Sequence, residues 1–343
     1  MPDSNGDLPL PPVERVRPGL WSIPVPIPNN PLRYVLVYGF ETDRGLYIVD
    51  AGWNTDDAYH TLVAGVEEAG FAIGDVRGVL VTHIHPDHYG LAGRIRETSG
   101  AWVALHPADA NLIHSRYEQP EGLVEQMGAM LRRDGTPEEE VLALKDASMP
   151  ARAYVDAVTP DVLIEDGDKP EVPGWDLTAI WTPGHSPGHL CFYEPANRLM
   201  LSGDHVLPRI TPNISFHPQA GPNPLGDFLE SLAKVGAYEA DEVLPAHEYR
   251  FADLQGRVEQ LRAHHQARFD EAIAAIRGGV DTAWGIAGRM TWNRPWDQIQ
   301  GFMRRAAVGE AQAHLRYLEV RGVIRENLGE PSRWEILDAA SRA

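Results

Sequence analysis

Four residues of metal-ligand type fall within six positions in the segment His83-Ile84-His85-Pro86-Asp87-His88, the densest such run in this 343-residue chain. In an extended stretch or tight loop, residues two apart project to the same side, so His83 and His85 share a face. Pro86 then fixes the turn that brings Asp87 and His88 in behind them. Neutral imidazoles with a carboxylate suit Zn²⁺, Fe²⁺ or Mn²⁺. Two histidines so close cannot complete a site alone, and later segments supply the missing types. His185 follows Thr182-Pro183-Gly184, Asp204 follows Ser202-Gly203, and His247 follows Pro245-Ala246. Each stands where an apolar run stops, so the pattern points to metal ligands gathered at strand ends.

The elements that must carry these residues can be read around them. Short apolar runs over 19–25, 34–38 and 46–50 predict three strands. Residues 55–69 have helical spacing, with Asn54 or Thr55 as cap and Gly70 as stop. Residues 76–82 predict a buried strand ending at the histidines, followed by a helix over 90–97 and a strand over 101–105. Strands recur over 162–165, 177–181, 190–193, 199–202 and 242–244, with a helix over 224–235 before the last. Two halves that each hold strands and helices predict an α/β fold, a four-layer sandwich rather than one wound sheet.

Two stretches depart from this order. Residues 107–160 predict helices over 123–133 and 138–145 and carry Met127, Met130 and Met149. They favour a helical lid that lays an adaptable apolar wall over the metals, with an ordinary helical subdomain as the alternative. From residue 251 the pattern predicts helices over 251–277, 283–290, 296–305 and 307–320, then strands over 323–326 and 334–337. Helices followed by a hairpin is the winged-helix order. The expected units are a polar tail over 1–17, a catalytic domain over 18–256 and a winged-helix-like domain over 257–343.

Composition narrows the class of partner. Hydrophobic residues make up 43% of the chain and charged ones 23%, which leaves ample material for a core. The formal charge is −19, and residues 257–343 hold 13 Arg against 11 Asp plus Glu, so the body over 1–256 carries −21. So acidic a body repels phosphate backbones, and no basic tract overrides it, so nucleic acid is not the expected partner. No run approaches the roughly 20 apolar residues of a membrane span, and Met1–Pro12 lacks the pattern of a signal peptide. The single Cys191 excludes an internal disulfide and fits a reducing cytoplasm.

The segment 83–88 matches the HxHxDH signature of the metallo-β-lactamase-fold hydrolases, and His185, Asp204 and His247 match the remaining motifs of that family in order. Asp50, in Ile48-Val49-Asp50-Ala51-Gly52, resembles the early family aspartate that holds the metal loop. The resemblance covers roughly residues 18–250 and implies an αββα sandwich with two divalent metal ions, zinc being expected. It implies that His83, His85 and His185 hold the first ion, that Asp87, His88 and His247 hold the second, and that Asp204 bridges them. The implied chemistry is hydrolysis by a metal-bridged hydroxide, with Asp87 also placed to relay a proton as a catalytic residue. No side-chain nucleophile is needed, so Cys191 has no expected catalytic role.

The surrounding residues are less determined. His189 is expected either to support a ligand by hydrogen bonding or to pack. Tyr89 is a candidate oxyanion donor or a packing tyrosine. Arg209 and His217, in the Pro-rich loop over 208–218, are candidate substrate residues, with a structural salt bridge as the alternative for Arg209. His106, His114, His264 and His265 are expected at the surface, the first two on the surface or the lid. Glutamate is typical at the position of His85 in the flavodiiron branch, and a cysteine is common at that of Asp204 in true zinc β-lactamases, so both branches are disfavoured. The tail resembles the extension of the branch called β-lactamase-like protein two, some of whose members cleave RNA. The expected activity is cleavage of a small-molecule thioester, ester or lactone, as in glyoxalase II-type enzymes. An endoribonuclease or other phosphodiesterase is the alternative, and a homodimer is compatible with either.

Overall fold

The computed structural model describes residues 9–337. A seven-stranded sheet carries, in chain order from edge to edge, β1 (Glu14–Arg17), β2 (Leu20–Pro26), β3 (Tyr34–Thr42), β4 (Gly45–Val49), β5 (Val76–Leu80), β6 (Trp102–Leu105) and β7 (Val162–Leu163). Strands β1 to β4 pair antiparallel, and β4 to β7 pair parallel. A four-stranded sheet is formed by β8 (Thr178–Trp181), β9 (Leu190–Glu194), β10 (Leu199–Gly203) and β11 (Glu242–Pro245), in the order β11-β10-β9-β8. The helices are α1 (Asp56–Glu68), α2 (Pro86–Tyr89), α3 (Ala92–Ser99), α4 (Pro107–Ala110), α5 (Glu121–Arg133), α6 (Glu138–Leu144), α7 (Pro224–Val235), α8 (Leu254–Arg277), α9 (Ala283–Ala287) and α10 (Gly301–Val320). An antiparallel hairpin, β12 (Ile324–Asn327) and β13 (Arg333–Ile336), follows them.

Period-two alternation decides the layers. Leu36, Tyr38 and Phe40 of β3 enter the core between the sheets, against Leu190 and Phe192 of β9 and Leu199 and Leu201 of β10. The intervening Val35 and Val37 turn the other way, onto Leu62 and Val66 of α1 and Ile95 of α3. On the second sheet, Cys191 and Met200 face outward to Phe228 and Leu232 of α7, Leu261 of α8 and Val308 of α10. The result is the four-layer αββα sandwich predicted from the two mixed halves.

Three expectations change. Of the polar tail expected over 1–17, residues 1–8 lie outside the described residues, and Glu14–Arg17 is an edge strand rather than tail. Backbone pairing to β2 and the Arg17–Glu242 ion pair at 2.8 Å tie it down. The helix expected over 296–305 is a 3-10 turn at Trp296–Gln298, after which Gly301, with φ of 55°, redirects the chain into α10. Within 107–160, the helices form as predicted, but Met127, Leu131, Val141 and Leu144 enter the same core as α7 to α10. Among the described residues, no helix is long and apolar enough to cross a membrane.

Candidate metal centre

Every expected ligand leaves the C-terminal end of a strand or the loop just after it. His83, His85, Asp87 and His88 follow β5, His185 follows β8, Asp204 follows β10 and His247 follows β11. Parallel and adjacent strands point these ends the same way, so residues up to 164 positions apart in sequence meet at one rim. His83, His88 and His247 are fully buried, and Asp87 and Asp204 are nearly so.

The side chains fall into two sets. His83 Nε2 lies 2.9 Å from His85 Nδ1, and these two form a trio with His185. A second trio is Asp87, His88 and His247. Asp87 Oδ2 lies 3.4 Å from His247 Nε2 and 3.7 Å from His88 Nε2. Asp204 stands between the sets. Its Oδ1 is 3.2 Å from His247 Nε2 and 3.6 Å from His88 Nε2, while its Oδ2 is 3.4 Å from His185 Nε2.

These separations test whether cations fit. Ligands about 2.0–2.2 Å from one tetrahedral ion stand roughly 3.4 Å from each other. The measured donor separations, 2.9 to 3.7 Å, bracket that edge length. The nitrogens His88 Nε2, His185 Nε2 and His247 Nε2 and the oxygen Asp204 Oδ1 are buried and make no hydrogen bond. Buried polar atoms without partners are costly unless something else satisfies them. The set fits two divalent cations.

The opposite ring nitrogens are held by the framework, which fixes each tautomer. His88 Nδ1 lies 2.8 Å from Asp50 Oδ2, His185 Nδ1 donates to the Asn213 carbonyl at 2.9 Å, and His247 Nδ1 donates to the Tyr34 carbonyl at 2.9 Å. Asp50 also accepts from the Thr82 backbone N–H at 2.8 Å and from its hydroxyl. It does so from a left-handed backbone, φ of 65°, which aspartate tolerates better than most residues. His189, left open between support and packing, bonds the segment that bears Asp204. Its Nε2 accepts the Asp204 backbone N–H at 3.1 Å, and its Nδ1 lies 2.8 Å from the Thr182 hydroxyl.

The charges divide in the same way. Burial, then neighbouring imidazoles, hold His83 and His85 well below the usual histidine range. Burial would lower His88 too, but Asp50, Asp87 and Asp204 outweigh it and raise it to about 9. His247 is raised well above its ordinary value against the same burial, chiefly by Asp204. Burial likewise opposes ionisation of Asp204, yet His247 and His88 hold its carboxyl well below the usual range. The second set therefore draws positive charge to one point, which is where a cation belongs. Burial pushes the Cys191 thiol up to about 12, so it is no nucleophile.

Several neighbours differ from expectation. The Tyr89 hydroxyl is committed to the Val158 backbone, accepting its N–H at 2.7 Å and donating to its carbonyl, so it is not an oxyanion donor. Arg209 is a structural ion pair with Glu248 at 2.8 Å. His217 does line a cavity with His185, and its Nδ1 accepts the Gln219 N–H. His106 is buried rather than at the surface, capping α4 and stacking on Trp181 with centroids 5.1 Å apart. His265 is buried as well, since α10 covers the helix face it occupies.

One residue had no motif to announce it. Asp109, fully buried in α4, accepts from the Ile84 N–H at 2.9 Å and the Ser186 hydroxyl at 2.7 Å through Oδ2, and from the Gly188 N–H at 2.7 Å through Oδ1. Ile84 separates His83 from His85, and Ser186 follows His185. A single carboxylate thus staples the two loops that bear the first trio.

The sequence profile of the metallo-beta-lactamase superfamily matches residues 30–247. A metallo-beta-lactamase family protein of Thermus thermophilus, known from its crystal structure, is 34% identical with a TM-score of 0.81, over 94% of this chain and 100% of that one. The atrochrysone carboxyl ACP thioesterase of a Cryptosporiopsis species is 23% identical over 284 residues, 82% of this chain and 70% of that protein. A lactamase-like protein of Aspergillus niger is 30% identical over 121 residues, which is 34% of this chain and 36% of that relative. The chain thus spans about a third of that curated relative's length.

Proposed function

This chain belongs to the metallo-β-lactamase superfamily, and from that we propose that it is a dinuclear hydrolase, with Zn²⁺ its resident metal, that cleaves a small-molecule thioester, ester or lactone. The observation that carries the reading is Asp204, whose two oxygens face different trios. The thioester preference is supported by the likeness to a protein named as a thioesterase and by the cavity beside His185.

Two divalent cations, when bound, make water acidic enough to ionise near neutral pH and stabilise negative charge on the oxygen under attack. The chain supplies the rest. His83, His85 and His185 would hold the first ion, Asp87, His88 and His247 the second, and Asp204 would contribute to both. Asp87, whose Oδ2 faces the second trio, would have its other carboxylate oxygen to take a proton from water and pass it to the leaving group. A cavity of about 410 Å³ opens beside His185, walled by Ala108, Trp181, Pro183, Pro187 and Pro224. Its size suits a small acyl group laid against the Trp181 and proline side, while Asp227, Glu230, Ser231 and Lys234 line the rest.

Nucleic acid is disfavoured by how α10 sits. Of the three arginines on this helix, Arg304 is paired with Glu140 at 2.7 Å, Arg316 with Glu319 and Glu326, and the half-buried Arg305 is turned to the Ser148 hydroxyl. Half of the helix's 20 residues are buried, so it presents no cationic face to a phosphate backbone. The deciding experiment is a screen of the zinc-loaded protein, at measured metal content, against acyl thioesters, lactones and phosphodiesters including RNA. Turnover of thioester or ester that vanishes with chelation and returns with Zn²⁺ is the expected result. Phosphodiester cleavage without ester cleavage would overturn the reading.

A further inference from the structure

The chain carries −19 overall, yet two half-buried arginines beside the metal centre have no ion pair among the described residues. Arg116 lies in the π-helical turn His114–Glu118, and Arg305 lies near the start of α10. Other half-buried arginines are satisfied. Arg304 and Arg316 pair with carboxylates, and Arg152 and Arg257 donate to two and three backbone carbonyls respectively. Besides the adjacent Tyr117 hydroxyl, the Arg116 guanidinium meets the Gln219 side-chain oxygen at 3.3 Å. Arg305 has a 3.0 Å bond to the Ser148 hydroxyl and the ring of Phe302.

Both are anchored to the site through their neighbours. The hydroxyl of Tyr117, next to Arg116, donates to the carbonyl of Ile84, between His83 and His85. Gln219 bonds Arg116 through its side chain and His217 through its backbone, and His217 lines the cavity with His185. Beside Arg305, the Ala306 carbonyl accepts from Ser215, and the Gly309 carbonyl accepts from the Phe216 N–H, so α10 holds the loop that presents His217. Arg116 is thus linked to His217 through Gln219, and Arg305 to the same loop through its neighbour Ala306. Burial, then Arg116, lower the Arg305 guanidinium to about 10, and burial, then Arg116 and Arg305, drive His217 down to about 3. The carboxylates within reach do not neutralise them. Asp109 is turned to three other donors, and neither it nor Asp146 comes within ion-pair distance of either guanidinium.

We propose that Arg116 and Arg305, both tied to the loop that presents His217, form a subsite for an anionic group of the substrate, a carboxylate or a phosphate. Two guanidiniums held together without a counter-ion are a standing cost, and an anion between them removes it by charge-assisted hydrogen bonds. His217, neutral through this arrangement, donates from Nε2 while Nδ1 stays on Gln219. The subsite therefore selects substrates by charge where the cavity selects by size. The inference deepens the small-molecule reading above, and its test includes a measurement that needs no turnover.

In the binding arm, the zinc-loaded protein and its Arg116→Gln/Arg305→Gln double variant, matched in metal content and thermal midpoint, are titrated by calorimetry. The probes are dicarboxylates from malonate to adipate, inorganic phosphate, and acetate as a control for the metals themselves. The expected result is at least a tenfold weakening of a dicarboxylate or of phosphate in the variant, exceeding any change for acetate. Arg116→Lys/Arg305→Lys should recover part of it, and this variant decides the matter if the glutamine chain does not fold. In the turnover arm, kcat/KM is compared for butyryl and succinyl esters of N-acetylcysteamine and for butyryl-CoA. A loss at least tenfold greater on the succinyl ester than on the butyryl ester places the anion in the acyl group. The same excess on butyryl-CoA places it in the phosphates of the leaving group. Equal binding of every anion to wild type and variant overturns the subsite, whether or not any ester is cleaved. Absence of all ester cleavage with the binding difference intact overturns only the hydrolase reading.

Discussion

Two groups of buried histidines lie in this molecule, one at the strand ends and one between α8 and α10. In the second, His265 Nδ1 lies 3.1 Å from His314 Nε2, and His314 Nδ1 donates to the Glu310 carbonyl. Aromatic rings close it in, with Phe228 5.5 Å from His265 and Phe269 5.2 Å from His314. Burial lowers His265 well below its ordinary value and His314 to about 4. In the first group, nitrogens are spent outward on Asp50, Asn213 and Tyr34, and the others point inward with Asp87 and Asp204 at a common centre. Burial is shared by both groups. What separates them is the pair of convergent carboxylates and the framework contacts that turn each ring to face them. His265 Nε2 also makes no hydrogen bond, but no second and third ligand type converges on it as they do in the first group, so this pair is core.

The comparison breaks if Asp204 can be removed without consequence. Asp204→Ala should leave fewer than two tightly bound ions per chain by elemental analysis and cost more activity than the roughly 10–100-fold typical of outer partners. The same measurement on His265→Leu should return the wild-type metal content. Two ions retained by Asp204→Ala would sink the bridging role, and ions lost from His265→Leu would show that the two groups are not distinct.

The first group is legible in the chain because its members come as short motifs at the ends of apolar runs. His83, His85, Asp87 and His88 are adjacent, and His185, Asp204 and His247 each follow a segment that alternates into a strand. The second is not. His264-His265 reads as exposed because α8 has no sharp apolar stripe, and only the packing of α10, 49 residues later, buries His265. Arg209 and Tyr89 mislead for the opposite reason. Their closeness in sequence to a ligand implies closeness to the reaction, yet Glu248 and Val158, brought in from distant segments, take their polar groups. Strand-end position is a local property that sequence records. Which long side chain finds which distant partner is not.

The second group can be sharpened by pH. His314 has a folded value of about 4 against an ordinary 6.5. Between those values the unfolded chain takes up a proton that the folded chain refuses, so stability falls as pH drops through the window and levels below it. For His314 alone the loss is about 3 kcal/mol, at 1.36 kcal/mol per unit. Replacing both histidines by leucine should flatten this part of the curve, read from urea midpoints at several values of pH between 7 and 4. Parallel curves for the two chains would mean that the pair is not buried as neutral imidazoles.

The smallest effect concerns Asp109, which touches no expected ligand side chain and yet fixes the backbone beside three of them. All three of its partners, the Ile84 and Gly188 N–H groups and the Ser186 hydroxyl, present hydrogen to it. Asn supplies an oxygen to one side only, and its amide hydrogens meet a backbone N–H on the other, so one loop is released while the fold can persist. Asp109→Asn should lower metal affinity or activity by about 10–100-fold, the range seen for groups that orient ligands. The loss should fall on the His83–His85–His185 set first, so metal titration should show one site weakened and the Asp87–His88–His247 site kept. That split distinguishes a staple from general damage, since a chain merely destabilised would lose both ions together. It also locates the division of labour within the site, because a carboxylate from α4, and not from either sheet, then sets the geometry of the first ion.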